Sequence, residues 1–499
     1  MTQPSGVFVS ENTPGTGQFQ LPGQGQLFFF DVTERGPDLA TDLSLDDFTR
    51  IYGSEGLRSS QLLQLYGMQR SPLTETTNLP PVTISRVRSA TAVKATLTLQ
   101  DRNGSPVPTL RLDAQGVGIS GNALRVDITD GQAPNTFTIL IRIGAGGVGR
   151  EERYANLTMN IQDLDRYAVS FINARSRLVR ATALKASVYA ATDNPVVVAN
   201  AAFTAGTDGA VLVASDYTDA LARFANIDRE GILYTPSPSA ALATAMLALG
   251  GGKYALIDTP AGNAFTANAT FRSGFDSSFG ELVNGYGFTT VNPNVALPLA
   301  ITKAAMQLML DAERGPHYIA SNRPVVGVTG FEDAYRDDAL SRADQYDVAG
   351  ITLYRPNLPG GGIGPFGART ASWGYFSQVA RRRVFSYVGR QIRRIASPLI
   401  QREPVNTDLV NAVNNGIIGF MARVVQGRGM VVGPNGSAPT QDTAWNWSTA
   451  GTTQQDFDDG NLRGRLGMRV ASTLMRLDVE LTEFKNVQPT ETVAGQAVV

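Results

Sequence analysis

Cysteine is absent from all 499 residues, which removes disulfides, thiolate nucleophiles and Cys-based metal sites together. Histidine occurs once, as His317. A single imidazole excludes most hydrolase triads and the zinc sites built on two or three His. His317, between Pro316 and Tyr318, is read as a packed or hydrogen-bonded residue. Carboxylate-only catalysis and magnesium chemistry stay open on composition alone. No apolar run approaches the ~18 residues of a membrane span. The longest candidate, around Ala240 to Leu249, is Ala-rich, short and closed by three glycines. Excess charge of one sign is also missing: 43 Lys and Arg stand against 44 Asp and Glu. That balance argues against a general polyanion binder, whose affinity comes from neutralising many phosphates.

What is present is an ordinary globular composition, 42% hydrophobic, in a chain long enough for two to four domains. Residues Met1 to Gly25 are polar, without a basic stretch followed by an apolar core, so no secretory signal is expected. Residues 1–26 read as an arm carrying a short strand-like segment, Gly6-Val7-Phe8-Val9. A buried strand at Leu27 to Phe30 opens an α/β core over 27–87. From 88 to 190 the pattern becomes β-rich, with alternation at Val93 to Leu99, Ala123 to Ile128 and Phe137 to Ile143. Over 191–370 helices and strands alternate: a helix at Tyr217 to Asp228, a strand at Ile232 to Tyr234, a helix at Ala240 to Leu249, a strand at Tyr254 to Ile257. This predicts a parallel sheet, and a further helix, Ile301 to Glu313, closes at Gly315-Pro316. Within 371–485, residues 371–430 read as mostly helix, from about Phe376 to Ile395 and from about Asp408 to Val425, and strands follow at Leu462 to Val470 and Leu477 to Leu481. Residues 486–499 form a second polar arm. The chain is thus read as a multidomain α/β and α+β protein.

Motifs that would carry chemistry are incomplete. Gly250-Gly251-Gly252-Lys253 lacks the upstream Gly and the following Ser or Thr of a phosphate loop, those places holding Leu247 and Tyr254. It is read as a helix cap before a strand. Gly360 to Gly364 follows Pro359 and opens no helix, so it is read as a loop. Asp456 to Asn461 lacks the oxygen spacing and distal Glu of a calcium loop. No cofactor or metal is expected, and no enzyme.

One charge anomaly stands out. Residues 371–430 hold nine Arg against Glu403 and Asp408, a local excess of seven positive charges in a chain of net charge −1. On a helix from about Phe376 to Ile395, Val384, Val388, Ile392 and Ile395 fall within about 80° of one another. Arg382, Arg383, Arg390, Arg393 and Arg394 fall within about 120° on the other side. A solvated basic face is one reading. Self-repulsion among unpaired arginines favours an anionic partner, either nucleic acid or an acidic protein surface.

Several segments in a fixed order resemble the contractile tail sheath proteins of myophages, R-type bacteriocins and related injection systems. They are Gly6 to Glu11; Phe28 to Pro37 (FFFDVTERGP); Asp47-Phe48 with Tyr52-Gly53; Gly118-Ile-Ser-Gly-Asn122; Glu152 to Leu157; and Thr204 to Gly209 ahead of Asp216-Tyr217. The most specific is Gly367-Ala368-Arg369-Thr370, followed by an aromatic start, a basic helix and Glu403-Pro404-Val405-Asn406. Phe366 stands where that family usually has Trp. The resemblance implies a β-rich domain inserted on the outside, an α/β middle domain and an inner C-terminal domain over 371–485. The arms would donate strands to neighbours, with Gly6, Val7, Phe8, Val9, Leu466, Met468, Val470, Val479 and Leu481 as the exchange positions. It further implies a helical homo-oligomer of stacked six-fold rings in a virion tail or injector particle, made and assembled in a bacterial cytoplasm. Its partners would be the tube protein, baseplate and tail terminator proteins, with no nucleic acid and no membrane insertion. Under this reading the five arginines meet an acidic tube; the competing reading is a structural protein that binds nucleic acid through them.

Overall fold

The computed structural model describes residues 25–53, 57–144, 151–185, 190–250, 252–262, 264–331, 339–356, 361–399, 406–426, 430–434, 437–459 and 461–471. At its centre is an eight-stranded sheet. Six parallel strands run side by side in the order Val82–Val87, Gln26–Val32, Gly231–Tyr234, Lys253–Asp258, Gly280–Asn284 and Ile351–Arg355. Leu39–Leu43 closes one edge and Gly364–Phe366 the other, both antiparallel.

The strand Gln26–Val32 shows why the sheet is buried on both sides. Its apolar run does not alternate with polar residues, as a strand covered on both faces requires. Leu27 and Phe29 enter one cluster with the helices Arg58–Gly67 and Ala300–Glu313. Phe28 and Phe30 point the other way, into a cluster with Ala214–Ala222 and Ala240–Leu249. Each of these rings is fully buried and contributes roughly 2 kcal/mol. The helix Ala300–Glu313 is buried continuously from Ala300 to Leu310, and Gly315 at φ 101° makes the left-handed turn that ends it. Lys303 lies on it without solvent access, its Nζ donating to Glu281 Oε2 at 2.6 Å and Thr352 Oγ1 at 3.1 Å.

The β-rich unit is a two-sheet sandwich. One sheet pairs Lys94–Gln100, Pro108–Val117 and Val179–Ala183; the other orders Val198–Ala202, Leu124–Asp130, Phe137–Ile143 and Glu151–Leu157. Alternate residues such as Leu110, Leu112, Val126, Ile128, Ile139 and Ile141 fill a core between them. This core runs on to Phe203, and bridges join Thr96 to Thr204 and Val93 to Thr207. The expected limit at residue 190 is therefore corrected: the sandwich needs the strand Val198–Ala202. Its sequence, VANAA, has too little apolar alternation to announce itself.

The helix expected over Tyr217 to Asp228 is shorter and earlier, Ala214–Ala222. Beyond it the chain tightens into turns, with the amides of Phe224, Ala225 and Ile227 each bonding three residues back. In the C-terminal region, helices Val379–Ala396 and Thr407–Gln426 pack against a ribbon of Trp445–Ser448 and Arg465–Met468. No helix among the described residues is long and apolar enough to cross a membrane.

Candidate assembly surfaces

The place where a doubly wound sheet would bind a ligand is the crevice at the carboxyl ends of its strands, where the strand order reverses. Beside that point a groove of about 690 Å³ lies between Val32 to Glu34, Arg86 to Ser89 and the sandwich residues Val117 to Ser120. Several of its polar groups fasten the groove's walls, two of them across to the sandwich. Arg86 Nη1 donates to the Val117 carbonyl at 2.6 Å, and Nη2 to those of Thr33 and Glu34 at 3.3 and 3.2 Å. Ser120 Oγ reaches the Glu34 carbonyl at 2.8 Å. Arg88 grips both oxygens of Asp38 at 2.7 Å, and Asp208 accepts from the Ile119 amide at 2.9 Å. The crevice is a joint. Among the described residues no cluster of three His, Asp or Glu could hold a metal.

The basic helix starts at Val379, three residues later than expected, because Gly374 to Ser377 forms a turn and Arg369 bridges Gln378. Its apolar side is as read: Val384 and Val388, with Tyr387, pack on Ile417, Phe420, Met421 and Val424. The arginine side is not one open face, and this corrects the sequence reading. Arg383 is 9% exposed and clamps both carboxylate oxygens of Asp311, one at 2.7 Å. Arg390 is 8% exposed, with Nη2 on Asp228 at 2.7 Å and Nε facing Glu230 at 3.4 Å. Arg382 is half-buried, stacked over Phe279 at 4.0 Å and Phe376 at 5.0 Å. Arg393 and Arg394 alone of the five are exposed. The physical reason is that the acids come from elements far away in sequence, so Arg383 and Arg390 find their counter-charges across the fold. Burial pushes the Glu230 carboxyl up to about 7, against the attraction of Arg390 and Arg394.

Gly367-Ala368-Arg369-Thr370 forms the passage from the sheet to this helix. A side chain at Gly367, φ 146°, would strike Thr352 Cα at 2.8 Å. Ala368 is buried, Arg369 Nε pairs with Asp347 at 3.0 Å, and Thr370 Oγ1 donates to the Phe376 carbonyl at 2.7 Å. Phe366, in the place of the usual Trp, stacks with Arg355 at 4.0 Å.

Leu466 and Met468 are opposite Trp447 and Trp445 in the ribbon, and Val470 bridges Val431. All three pack on the C-terminal core of their own chain. Gly6, Val7, Phe8, Val9, Val479 and Leu481 lie outside the described residues, with residues 1–24 of the first arm and all of the second; the expected end of the first arm at 26 is corrected, since Gln26 opens the central strand. The charged residues that the sequence reading missed are Asp228, Glu230, Asp311 and the Lys303–Glu281 pair. Only Lys303 gave a signal, as a lone charge on an otherwise apolar stretch of helix.

No family model matches the chain. The tail sheath protein of Burkholderia phage BcepMu is 26% identical over 152 residues, 29% of this chain and 31% of that one. The chain therefore matches about a third of that relative's length. The sheath tail protein of Listeria innocua superposes over 90% of this chain and 96% of its own, with TM-score 0.61 and 13% identity. A chain of the contracted helical sheath of the anti-feeding prophage superposes over 97% of this one and 100% of itself, with TM-score 0.55 and 14% identity. This chain has the tail sheath fold.

Proposed function

We propose that the chain is a structural subunit of a contractile tail sheath, which polymerises helically around an inner tube and contracts to drive that tube through a cell envelope. The observation that carries this reading is the match over nearly the whole length of both chains to a subunit of a contracted sheath. In this proposal the sandwich faces outward, the C-terminal helices face the tube, and the terminal arms add strands to neighbouring subunits. Each donated strand with four or five backbone hydrogen bonds contributes a few kcal/mol, at ~0.5–1.5 kcal/mol per bond. The arms thereby keep subunits connected while their bodies turn, contraction being a change between two packings. Tube, baseplate and terminator proteins are the partners of the proposal.

The nucleic-acid reading loses its basis, since Arg383 and Arg390 are bound to carboxylates of the same chain. The tube-facing proposal is reduced to Arg393 and Arg394, with Arg382 at its margin. The test is electron microscopy and sedimentation of the purified full chain at increasing concentration, with and without tube protein. Helical tubes support the reading, and loss of tubes on deleting residues 1–22 or 486–499 supports strand donation. A chain that stays monomeric with tube present overturns it.

A further inference from the structure

The seam between helix Val379–Ala396 and the amino ends of the sheet strands encloses a cavity of about 60 Å³, room for a few water molecules. Its walls come from both bodies: Glu230, Lys253, Tyr254 and Asp311 from the sheet domain, Arg383 and Ser386 from the helix. Two buried oxygens of that lining, Glu230 Oε1 and Tyr254 Oη, have no hydrogen-bond partner in the chain. The helix itself is shared between two cores. Val379 and Ala380 belong to the core of the sheet domain, and Val384, Tyr387 and Val388 to the C-terminal one.

Across this seam the described charges do not balance. Three carboxylates, Asp228, Glu230 and Asp311, meet two buried guanidiniums, Arg383 and Arg390. Arg383 is taken by both oxygens of Asp311. Arg390 gives Nη2 to Asp228 at 2.7 Å, while its Nε stands 3.4 Å from Glu230. Any side chain at Gly252 would strike Arg390 Nη1, so the arginine is seated against bare backbone. The other cations look elsewhere: Lys253 Nζ donates to the Ile227 carbonyl at 2.8 Å, and Arg394 is exposed. Tyr254 and Tyr387, the remaining titratable groups of the lining, are held neutral by burial. Glu230 is therefore the least compensated carboxylate of the three. Burial pushes it up to about 7, which agrees with that count.

We infer that the seam is a proton-sensitive catch: with Glu230 protonated the helix beyond its first turn closes on the sheet domain, and loss of that proton loosens it. The sign follows from linkage. A carboxyl that ionises less readily in the closed seam than in the open one makes opening rise with pH, from the ordinary value near 4.5 up to about 7. Val379 and Ala380 stay in the sheet core, so the first turn is the pivot. The catch is a property of the folded subunit and stands or falls apart from the sheath reading.

The chain has no cysteine, so Ser386→Cys places one thiol in the cavity wall, and its labelling by a maleimide in the full chain reports opening. Rates are compared at each pH with those of the same chain carrying Glu230→Gln, all variants folded by circular dichroism. The ratio removes thiol ionisation and any titration of His317, which both chains share. It should climb roughly fiftyfold between pH 5 and 8. Asp228→Asn, at a side chain 90% exposed, turns Arg390 toward Glu230 and should move the rise to lower pH. A ratio that stays within threefold over the range refutes the catch, as does fast labelling of both chains at pH 5. An Asp228→Asn profile that overlays the parent refutes the charge count and the proposal with it.

Discussion

Replacing Arg383 by Met tests whether the basic helix is fastened to the sheet domain by charge. The side chain is nearly fully buried, it bonds both oxygens of Asp311, and Asp311 itself is only 13% exposed. Methionine keeps the volume and removes the charge, which leaves the carboxylate of Asp311 uncompensated in a low-dielectric seam. Breaking such a pair on one side costs about 3–5 kcal/mol. A chain of several domains does not unfold in one step, so a single melting temperature is the wrong readout. Amide hydrogen exchange over Val379–Ala396 reports the local opening directly. A loss of about 3 kcal/mol corresponds to roughly a hundredfold faster exchange there, at 1.4 kcal/mol per decade. The sandwich amides, far from the seam, should exchange at the parent rate. Adding Asp311→Asn should recover part of the loss, because the orphaned charge is then gone; the cycle should show a coupling of about 1–3 kcal/mol. If Arg383→Met changes exchange in this helix less than threefold, the seam is held by apolar packing and the electrostatic account is wrong.

A second consequence concerns pH. Glu230 is raised from an ordinary value near 4.5 to about 7 by burial, so it contributes stability that is fully present below 4.5 and lost as pH rises through 7. The difference is on the order of 3 kcal/mol; Glu230→Gln should flatten the pH dependence of amide protection in Gly231–Tyr234 between pH 4.5 and 7, and an unchanged slope would contradict the burial. Replacing residues 88–209 by a short Gly/Ser linker should leave a folded chain that still polymerises, seen by microscopy, because the sandwich has its own core. The same excision ending at 190 should give insoluble protein, since it strands Val198–Ala202 without its sheet. Reversing Arg393 and Arg394 to Glu should weaken co-sedimentation with tube protein at low salt while leaving polymerisation alone intact; equal binding to that of the parent would assign those residues elsewhere.

The parallel sheet was legible because its strands are covered on both faces and therefore read as short continuous apolar runs between helices of ordinary length. Leu27 to Phe30 and Tyr254 to Ile257 needed no context. The strand Val198–Ala202 was not legible, since its place comes from pairing with Leu124–Asp130 across about 70 intervening residues. The motif Gly367 to Thr370 was visible as a motif, but its task was not: nothing local says that Gly367 passes over Thr352 or that Arg369 will meet Asp347.

The arginine helix shows most clearly why a correct pattern can lead to a wrong surface. A helical wheel sorts residues into an apolar side and a polar side, which assumes that one side meets protein and the other meets water. Val379–Ala396 instead lies in an angle between two bodies. Val384 and Val388 face the second helix, while Val379, Ala380, Arg383 and Arg390 face the sheet domain. At 100° per residue Arg383, Arg390 and Arg394 lie within about 40° of one another, and Arg382 and Arg393 lie some 60–120° away. The apparent single basic face is thus two faces side by side. The first is spent on Asp311, Asp228 and Glu230, which are 72 and 160–162 residues away in sequence. Arg394, at the end of the first face, and Arg393, on the second, are the exposed pair that remains to face a partner. Local charge excess predicts that acids will be found; it does not predict whether they belong to another molecule or to a distant part of the same chain.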